Sequence, residues 1–161
     1  MLKPLLLSEV VQALGARVVG ADVAFTAVST DSRRIEAGQL FIALVGPNFD
    51  GHDYLADVAA KGAVAALVQR EVAGAGLPQL VVDDTRIALG QLGALNRAAF
   101  HKPLAAVTGS SGKTTVKEML ASILRAGLNG PVLATRGNLN NDLGAPLTLL
   151  ELTPDQVGAV I

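Results

Sequence analysis

The stretch AVTGSSGKTTVKEML, Ala106 to Leu120, decides how this chain is read. An apolar entry runs into a Gly-Ser turn and then a helix-forming segment, with two lysines, Lys113 and Lys117, in the first turns of that helix. A helix N-terminus already carries about half a unit of positive charge, so lysine there is locally unfavourable. An anion resolves the conflict. Gly109 and Gly112 allow positive φ and close backbone approach. The amides that follow Gly109 can point inward as an anion-binding nest at the helix start. Lys113 can then reach terminal phosphates, and the Thr114 hydroxyl can sit on Mg²⁺. The spacing here is G-x-x-G-K-T. The longer phosphate-loop pattern would require glycine at Val107, so the context carries the reading: a strand enters the loop and an amphipathic helix leaves it. Lys117, one turn further on, reads as a solvated residue.

Working outward, Leu104 to Thr108 reads as a buried strand. Val116, Met119, Leu120, Ile123 and Leu124 share one apolar helix face, and Gly127 closes that helix. PVLAT is the next strand, which makes a βαβ unit of a parallel sheet. RGNLNNDLGAPLTLLEL is an Asn/Gly loop leading into an aliphatic helix, and VGAVI is a further buried strand. Upstream, Ser8 caps a helix over SEVVQALG that ends at Gly15. AFTAVSTDSRRIEAGQLFIALVG reads as strand, polar loop, strand, and the apolar run Leu40 to Val45 marks a strand buried on both faces. A helix to about Lys61, a Gly62 cap and strands at Val64 to Val68 and within QLVVDD follow. A helix over Thr85 to Phe100 precedes the interruption at His101 and Pro103. The fold class is α/β: a small N-terminal α/β domain over residues 1–83, then the start of a phosphate-loop, parallel-sheet ATPase domain over residues 84–161.

Composition narrows the function classes. Thirteen basic and 14 acidic residues among 161 give a formal net charge of -1, so no general electrostatic case exists for nucleic acid or an acidic membrane. The absence of cysteine excludes disulfides and thiolate metal sites. Mean hydropathy is positive at +0.44, yet no apolar run approaches the roughly 18 residues of a membrane span. MLKPLLLSEV lacks the long apolar core of a signal peptide, and a cytoplasmic location is expected.

TGSSGKTT resembles the nucleotide loop of the Mur ligases, the ATP-dependent enzymes that add amino acids to the UDP-muramoyl precursor of peptidoglycan. STDSRRIEAGQLFIALVGPNFDGHDYLADVAAKGAVAALV resembles the N-terminal UDP-binding domain of members that act on the longer peptide precursors. TRGNLNNDLGAPLTLLEL resembles the segment after the nucleotide loop in the branch that joins D-alanyl-D-alanine to UDP-N-acetylmuramoyl-tripeptide. The resemblance covers essentially the whole chain. Folylpolyglutamate synthases share a similar loop without the N-terminal domain. The diaminopimelate- or lysine-adding ligase is a competing reading, but it typically has Asn-Thr-Thr where this chain has Asn140 and Asn141. A non-catalytic module for a UDP precursor or nucleotide, and a phosphate-loop phosphotransferase, also compete.

The resemblance implies roles residue by residue. Gly109, Ser110, Ser111, Gly112, Lys113, Thr114 and Thr115 match the ATP-binding loop, with Lys113 on the phosphates and Thr114 on Mg²⁺; these two are the catalytic candidates. Ser111 stands where the family often has asparagine, so hydrogen bonding is kept without the amide. Thr30 and Ser32 match uracil contacts; Pro47, Asn48 and Phe49 match the diphosphate loop. Asn140 and Asn141 match residues that meet the sugar-peptide substrate near the γ-phosphate. ATP and Mg²⁺ are the implied cofactors, and a monomer is implied for the full-length enzyme. The family's Mg²⁺-binding glutamate, a later histidine, a carbamylated lysine and the domain for the incoming amine are placed after residue 161. The chain is therefore expected to be part of a longer polypeptide and inactive by itself. Other polar residues read as structural: Asp31 and Arg33 as a loop-holding pair, His52 as loop packing, His101 as linker, and Asp83-Asp84 as a strand end and helix cap.

Overall fold

The computed structural model describes residues 1–137 and 141–161. It divides into two compact units, Lys3–Leu92 on one side and Gly93–Ile161 with Met1–Leu2 on the other. Both are α/β with parallel pairing.

The first unit runs β1 (Leu5–Leu6), α1 (Leu7–Leu14), β2 (Arg17–Val19), β3 (Ala24–Phe25), β4 (Ala27–Ser29), β5 (Gln39–Ile42), β6 (Val45–Gly46), β7 (Phe49–Asp50), a 3-10 turn (Gly51–Tyr54), α2 (Leu55–Ala60), β8 (Ala65–Val68) and β9 (Gln79–Val81). Helix α3 (Thr85–Ala98) begins in this unit and ends in the second. The main sheet has the order β2-β9-β8-β5-β4. Strands β4, β5, β8 and β9 are parallel, and β2 joins the edge antiparallel. Every residue of β8 is buried, as are Leu40, Phe41 and Ile42 of β5, which is why these strands read as unbroken apolar runs. Phe41, Leu55, Val58, Ala66 and Val68 pack into one cluster with Ile35.

Several local expectations change. Ser8 does not cap α1. Its Oγ donates to Asp22 at 2.6 Å, and Glu9 reaches back to accept the Leu6 N–H at 2.7 Å. The run from Leu40 does not continue as one strand to Val45: β5 stops at Ile42, and Val45–Gly46 pairs with Phe49–Asp50 as a separate hairpin. Asp84 does cap α3, accepting from the N–H groups of Arg86 and Ile87 at 2.7 and 3.1 Å. The Thr85 hydroxyl donates to the Ala43 carbonyl at 3.1 Å, which pins the helix start to the chain leaving β5.

The second unit contains β10 (Leu104–Ala105), α4 (Lys113–Leu128), β11 (Val132–Ala134), α5 (Gly144–Leu150) and β12 (Gly158–Val160). Its sheet is wholly parallel in the order β10-β12-β11. The strand entering the nucleotide loop is half-buried, not buried, because β10 lies at a sheet edge. Helix α4 does not end at Gly127. It continues to Leu128, and Asn129 takes the left-handed conformation at φ 51°. The face of α4 turned to the sheet also differs from expectation. Val116, Met119 and Ile123 are exposed. The inward stripe is Lys117, Leu120, Ala121 and Leu124, packed towards Val132 and Val160.

Gly51 is where the first unit tolerates least change. A Cβ there would lie 2.7 Å from the Ala43 Cα, backbone against backbone. Gly51→Ala is expected to destabilise the chain by about 1–3 kcal/mol, the usual cost of overpacking. A urea titration checks this, with a lowered midpoint at unchanged slope as the expected outcome.

Candidate functional site

The loop between β10 and α4 turns through Gly109 at φ 149° and Gly112 at φ 74°, conformations that favour glycine. Gly112 precedes α4 without a side-chain cap, so the first N–H groups of the helix face the loop, the arrangement that binds anions. Lys113 folds back and donates to the Gly109 carbonyl. Beside it lies a cavity of about 220 Å³, lined by Lys113, Thr114, Lys117 and Thr135 with Ala106, Val107, Gly137, Ala145 and Ile161. The chain just past the carboxyl ends of all three strands contributes to this wall: Ala106 and Val107 after β10, Thr135 and Gly137 after β11, and Ile161 after β12. That is where ligands bind in open parallel sheets.

Lys113 and Thr114 are thus brought together on the cavity. Gly109, Ser110, Ser111, Gly112 and Thr115 form the loop and first turn around it without lining it. Asn141 Oδ1 accepts from the N–H of Gly144, the first residue of α5, at 2.7 Å; Asn138 and Asn140 lie outside the described residues. Lys117 corrects the sequence reading. It is 7% exposed, not solvated, and its Nζ donates to the Thr135 carbonyl. The available signal was its position four residues after Lys113, which puts both lysines on one helix face. Among the described residues, no group of three or more His, Cys, Asp or Glu could hold a metal. The Thr114 hydroxyl could offer a divalent cation one oxygen, and the described residues do not by themselves complete a Mg²⁺ site.

A second cavity, about 540 Å³, lies in the first unit at the carboxyl ends of β4 and β5. Thr30, Ser32 and Phe49 line it, together with Asp31, Arg33, Phe41, Leu44, Gly51 and Tyr54. Pro47 and Asn48 sit exposed in the hairpin turn and do not line it. Phe49 and Tyr54 are large exposed aromatics, surfaces on which a flat ring can stack. Sequence reasoning misses Tyr54, because nothing in its spacing separates it from the helix that follows. The polar wall is braced. Arg33 donates to both Asp31 oxygens at 2.9 and 2.8 Å, and Asp31 also accepts the Arg33 N–H at 3.0 Å. Lys61 Nζ donates to the Ser32 carbonyl at 2.9 Å and to Asp57 at 2.7 Å. Hydrogen bonding from Arg33 holds the Asp31 carboxyl down at about 2.

His52 is buried and structural. Its Nδ1 lies 2.6 Å from Asp50 Oδ1, and its Nε2 accepts the Gln69 N–H at 2.9 Å. An unprotonated Nε2 leaves the ring proton on Nδ1, donated to Asp50. Arg70 donates to the other Asp50 oxygen at 2.7 Å. Arg70 first, and then the His52 backbone N–H, which donates to Asp50 Oδ1 at 2.9 Å, lower the Asp50 carboxyl well below the usual carboxylate range.

Residues 24–97 match the catalytic domain of the Mur ligase family, and residues 107–161 match the Mur ligase middle domain. The chain belongs to the Mur ligase family. It is 49% identical over 155 residues to the UDP-N-acetylmuramoyl-tripeptide–D-alanyl-D-alanine ligase of Escherichia coli K12, covering 96% of this chain and 34% of that one. A crystal structure of MurF from Acinetobacter baumannii superposes with a TM-score of 0.89 at 45% identity, covering 99% of this chain and 36% of that one. The MurF ligase of Thermotoga maritima in complex with ADP matches with a TM-score of 0.73 at 30% identity, covering 83% of this chain and 31% of that one. The chain spans about a third of the length of the curated relatives it matches. Within this Mur ligase chain, the two cavities fall one in each matched region.

The carboxylates that brace the first unit set an acid limit. Asp31 and Asp50 both titrate lower when folded than their ordinary value of 3.8. Their contribution is therefore complete above about pH 4 and is lost as pH falls through the folded values. Thermal melts are expected to show stability falling from about pH 4 towards about pH 2, with a shallower fall in Asp50→Asn.

Proposed function

We propose that this chain is the precursor-binding and nucleotide-binding part of an ATP-dependent carbon–nitrogen ligase that joins D-alanyl-D-alanine to UDP-N-acetylmuramoyl-tripeptide in cytoplasmic peptidoglycan precursor synthesis. One observation carries the reading: a single continuous similarity at 49% identity to a ligase of that name, covering 96% of the chain and so extending across both cavities. The ADP complex of a structural relative supports adenine nucleotide at the α4 cavity.

In this reading the uridine diphosphate end of the precursor lies in the first-unit cavity. Thr30 and Ser32 face the uracil, Phe49 and Tyr54 offer stacking surface, and Pro47 and Asn48 approach the diphosphate from the hairpin turn. The Gly109–Thr115 loop holds ATP, with Lys113 swinging from the Gly109 carbonyl to the phosphates. Asn140 and Asn141 belong to the segment that meets the sugar-peptide. The terminal carboxylate of the tripeptide attacks the γ-phosphorus, ADP leaves, and an acyl phosphate forms. The amine of D-alanyl-D-alanine then attacks the acyl carbon and releases phosphate. The contribution of Lys113 is electrostatic, neutralising charge on the transferring group. Mg²⁺ would neutralise further phosphate charge, with Thr114 as its ligand from this chain.

In the full-length ligase, Lys113→Ala is expected to lower UDP-pentapeptide formation by about 100-fold or more, the usual scale for one electrostatic group. Folding is expected to persist, because Lys113 is outside the core. Unchanged turnover at saturating ATP would remove the assigned role. Amide chemical shifts test the two-site reading separately. Uridine diphosphate is expected to move Thr30, Ser32 and Phe49, and ATP to move Gly109–Thr115. Both ligands acting on the α4 loop, with residues 30–49 silent, would contradict it.

A further inference from the structure

Among the described residues, the hairpin that carries Phe49 has no strand partner outside itself. β6 and β7 pair with each other and form a two-stranded sheet separate from the five-stranded one. Backbone bonding to the main sheet reaches Ala43, whose N–H donates to the Leu67 carbonyl at 2.9 Å, just before the hairpin begins. A two-stranded hairpin is marginal by itself in water, so its place must be fixed by side chains. The Phe49 ring moves with it: a Cβ at Gly46 would overlap that ring, which therefore lies against the facing strand. Phe49, Gly51 and Tyr54 line the first-unit cavity, whereas Asp50 and His52, interleaved with them, do not. These two supply the anchor. One Asp50 oxygen accepts from Arg70 at 2.7 Å, and the other lies 2.6 Å from His52 Nδ1. His52 Nε2 accepts the Gln69 N–H at 2.9 Å. Gln69 and Arg70 directly follow β8, the middle strand of the main sheet. Asp50 is thus tied to the end of that strand twice, once through Arg70 and once through the His52 ring. The ring works as a bridge because one nitrogen donates and the other accepts, and its burial keeps water from competing for either bond.

We propose that His52 and Arg70 are positioning residues for the precursor site, acting through Asp50 to hold the hairpin where the Phe49 ring forms the cavity wall. The inference rests on the reading of that cavity as the uridine diphosphate site, and it adds residues that do not line the cavity. The energetic logic is that of a binding-competent fraction. With Asp50 anchored at both oxygens, Phe49 is already in place when the ligand arrives. With one tie cut, part of the population holds the ring elsewhere, and apparent affinity falls in proportion to the fraction still competent.

The test is titration of uridine diphosphate into the 161-residue chain, read by amide shifts at a temperature where each variant is folded. By bond count, an Asn side-chain nitrogen falls where Nδ1 lies, and a Gln side-chain oxygen where Nε2 lies. His52→Asn therefore keeps the Asp50 end of the bridge, and His52→Gln keeps the Gln69 end. A bridge fails when either end is cut, so each variant is expected to weaken uridine diphosphate about threefold or more, the scale of one hydrogen bond. Arg70→Met is expected to cost about twofold or more. The Arg70 side chain is 57% exposed, so this variant decides by the same comparison if the His52 variants fail to fold by circular dichroism. ATP affinity is expected to stay within about twofold in all three. In the full-length ligase, the same variants are expected to raise KM for the UDP precursor by those factors while kcat and KM for ATP stay within about twofold, a split that a simple loss of stability does not produce. Lower melting temperatures with unchanged uridine diphosphate affinity would overturn the proposal. So would equal losses for uridine diphosphate and ATP, or a loss in only one of the two His52 variants. Wild-type chain in which Thr30, Ser32 and Phe49 do not respond to uridine diphosphate would sink the reading of the cavity, and the inference with it. Wild-type binding there without loss in the variants would sink the inference alone.

Discussion

Parallel strand pairing is the constraint on which both sites depend. Parallel neighbours cannot be joined by a tight turn, so the chain must leave each strand end and cross back. The segments that follow the carboxyl ends of adjacent strands are therefore gathered at one edge of the sheet. In the first unit those segments include Thr30–Arg33 after β4 and Leu44 to Gly51 after β5, and the larger cavity lies among them. In the second, the segments after β10, β11 and β12 surround the smaller one. Two different recognition surfaces follow from one backbone rule, and the side chains on the crossovers make them different.

Charge is handled in opposite ways at the two places. In the first unit nearly every charge near the cavity has a protein partner: Arg33 with Asp31, Lys61 with Asp57, and Arg70 with Asp50, which also holds His52. Such pairs shape loops, and the Asp31 and Asp50 carboxylates titrate low because hydrogen bonds favour the charged form. The cavity they frame is left with hydroxyls and aromatic rings, suited to a ligand recognised by shape and stacking. At α4 the compensation is weaker. Among the described residues, Lys113 finds a backbone carbonyl, and Lys117 finds another plus a water-exposed glutamate. Cations left short of protein anions at a helix start are arranged for a ligand that brings its own charge.

Residues whose chemistry is local are legible in the sequence. The Gly109–Gly112 turn, the Lys113–Thr114 pair, the Asp84 cap and the apolar runs of β5 and β8 each follow from a few neighbouring side chains. The Asp31–Arg33 pair and the structural role of His52 also lie within reach, since their partners are two residues away. Tyr54, Thr135 and the buried state of Lys117 do not. Each acquires its surroundings from a distant segment: Tyr54 from the loop after β4, and Lys117 and Thr135 from one another across 18 residues.

The sequence by itself determined the α/β class, the main helices, the apolar strands of both sheets and the Gly109–Gly112 turn, because these depend on periodicity, glycine conformation and short motifs; the short strands β1 and β2 and the β6–β7 hairpin were not legible in it. Only the tertiary structure decided which stripe of α4 faces inward. An amphipathic pattern marks an apolar face, and Val116, Met119 and Ile123 carry one, yet they are exposed. Ala121 and Lys117 point to the sheet instead. The physical reason is closeness of approach. The small Ala121 lets the helix lie near Val132 and Val160, and the long methylene stem of Lys117 fills the space beside it while its ammonium reaches the carbonyl at the end of β11.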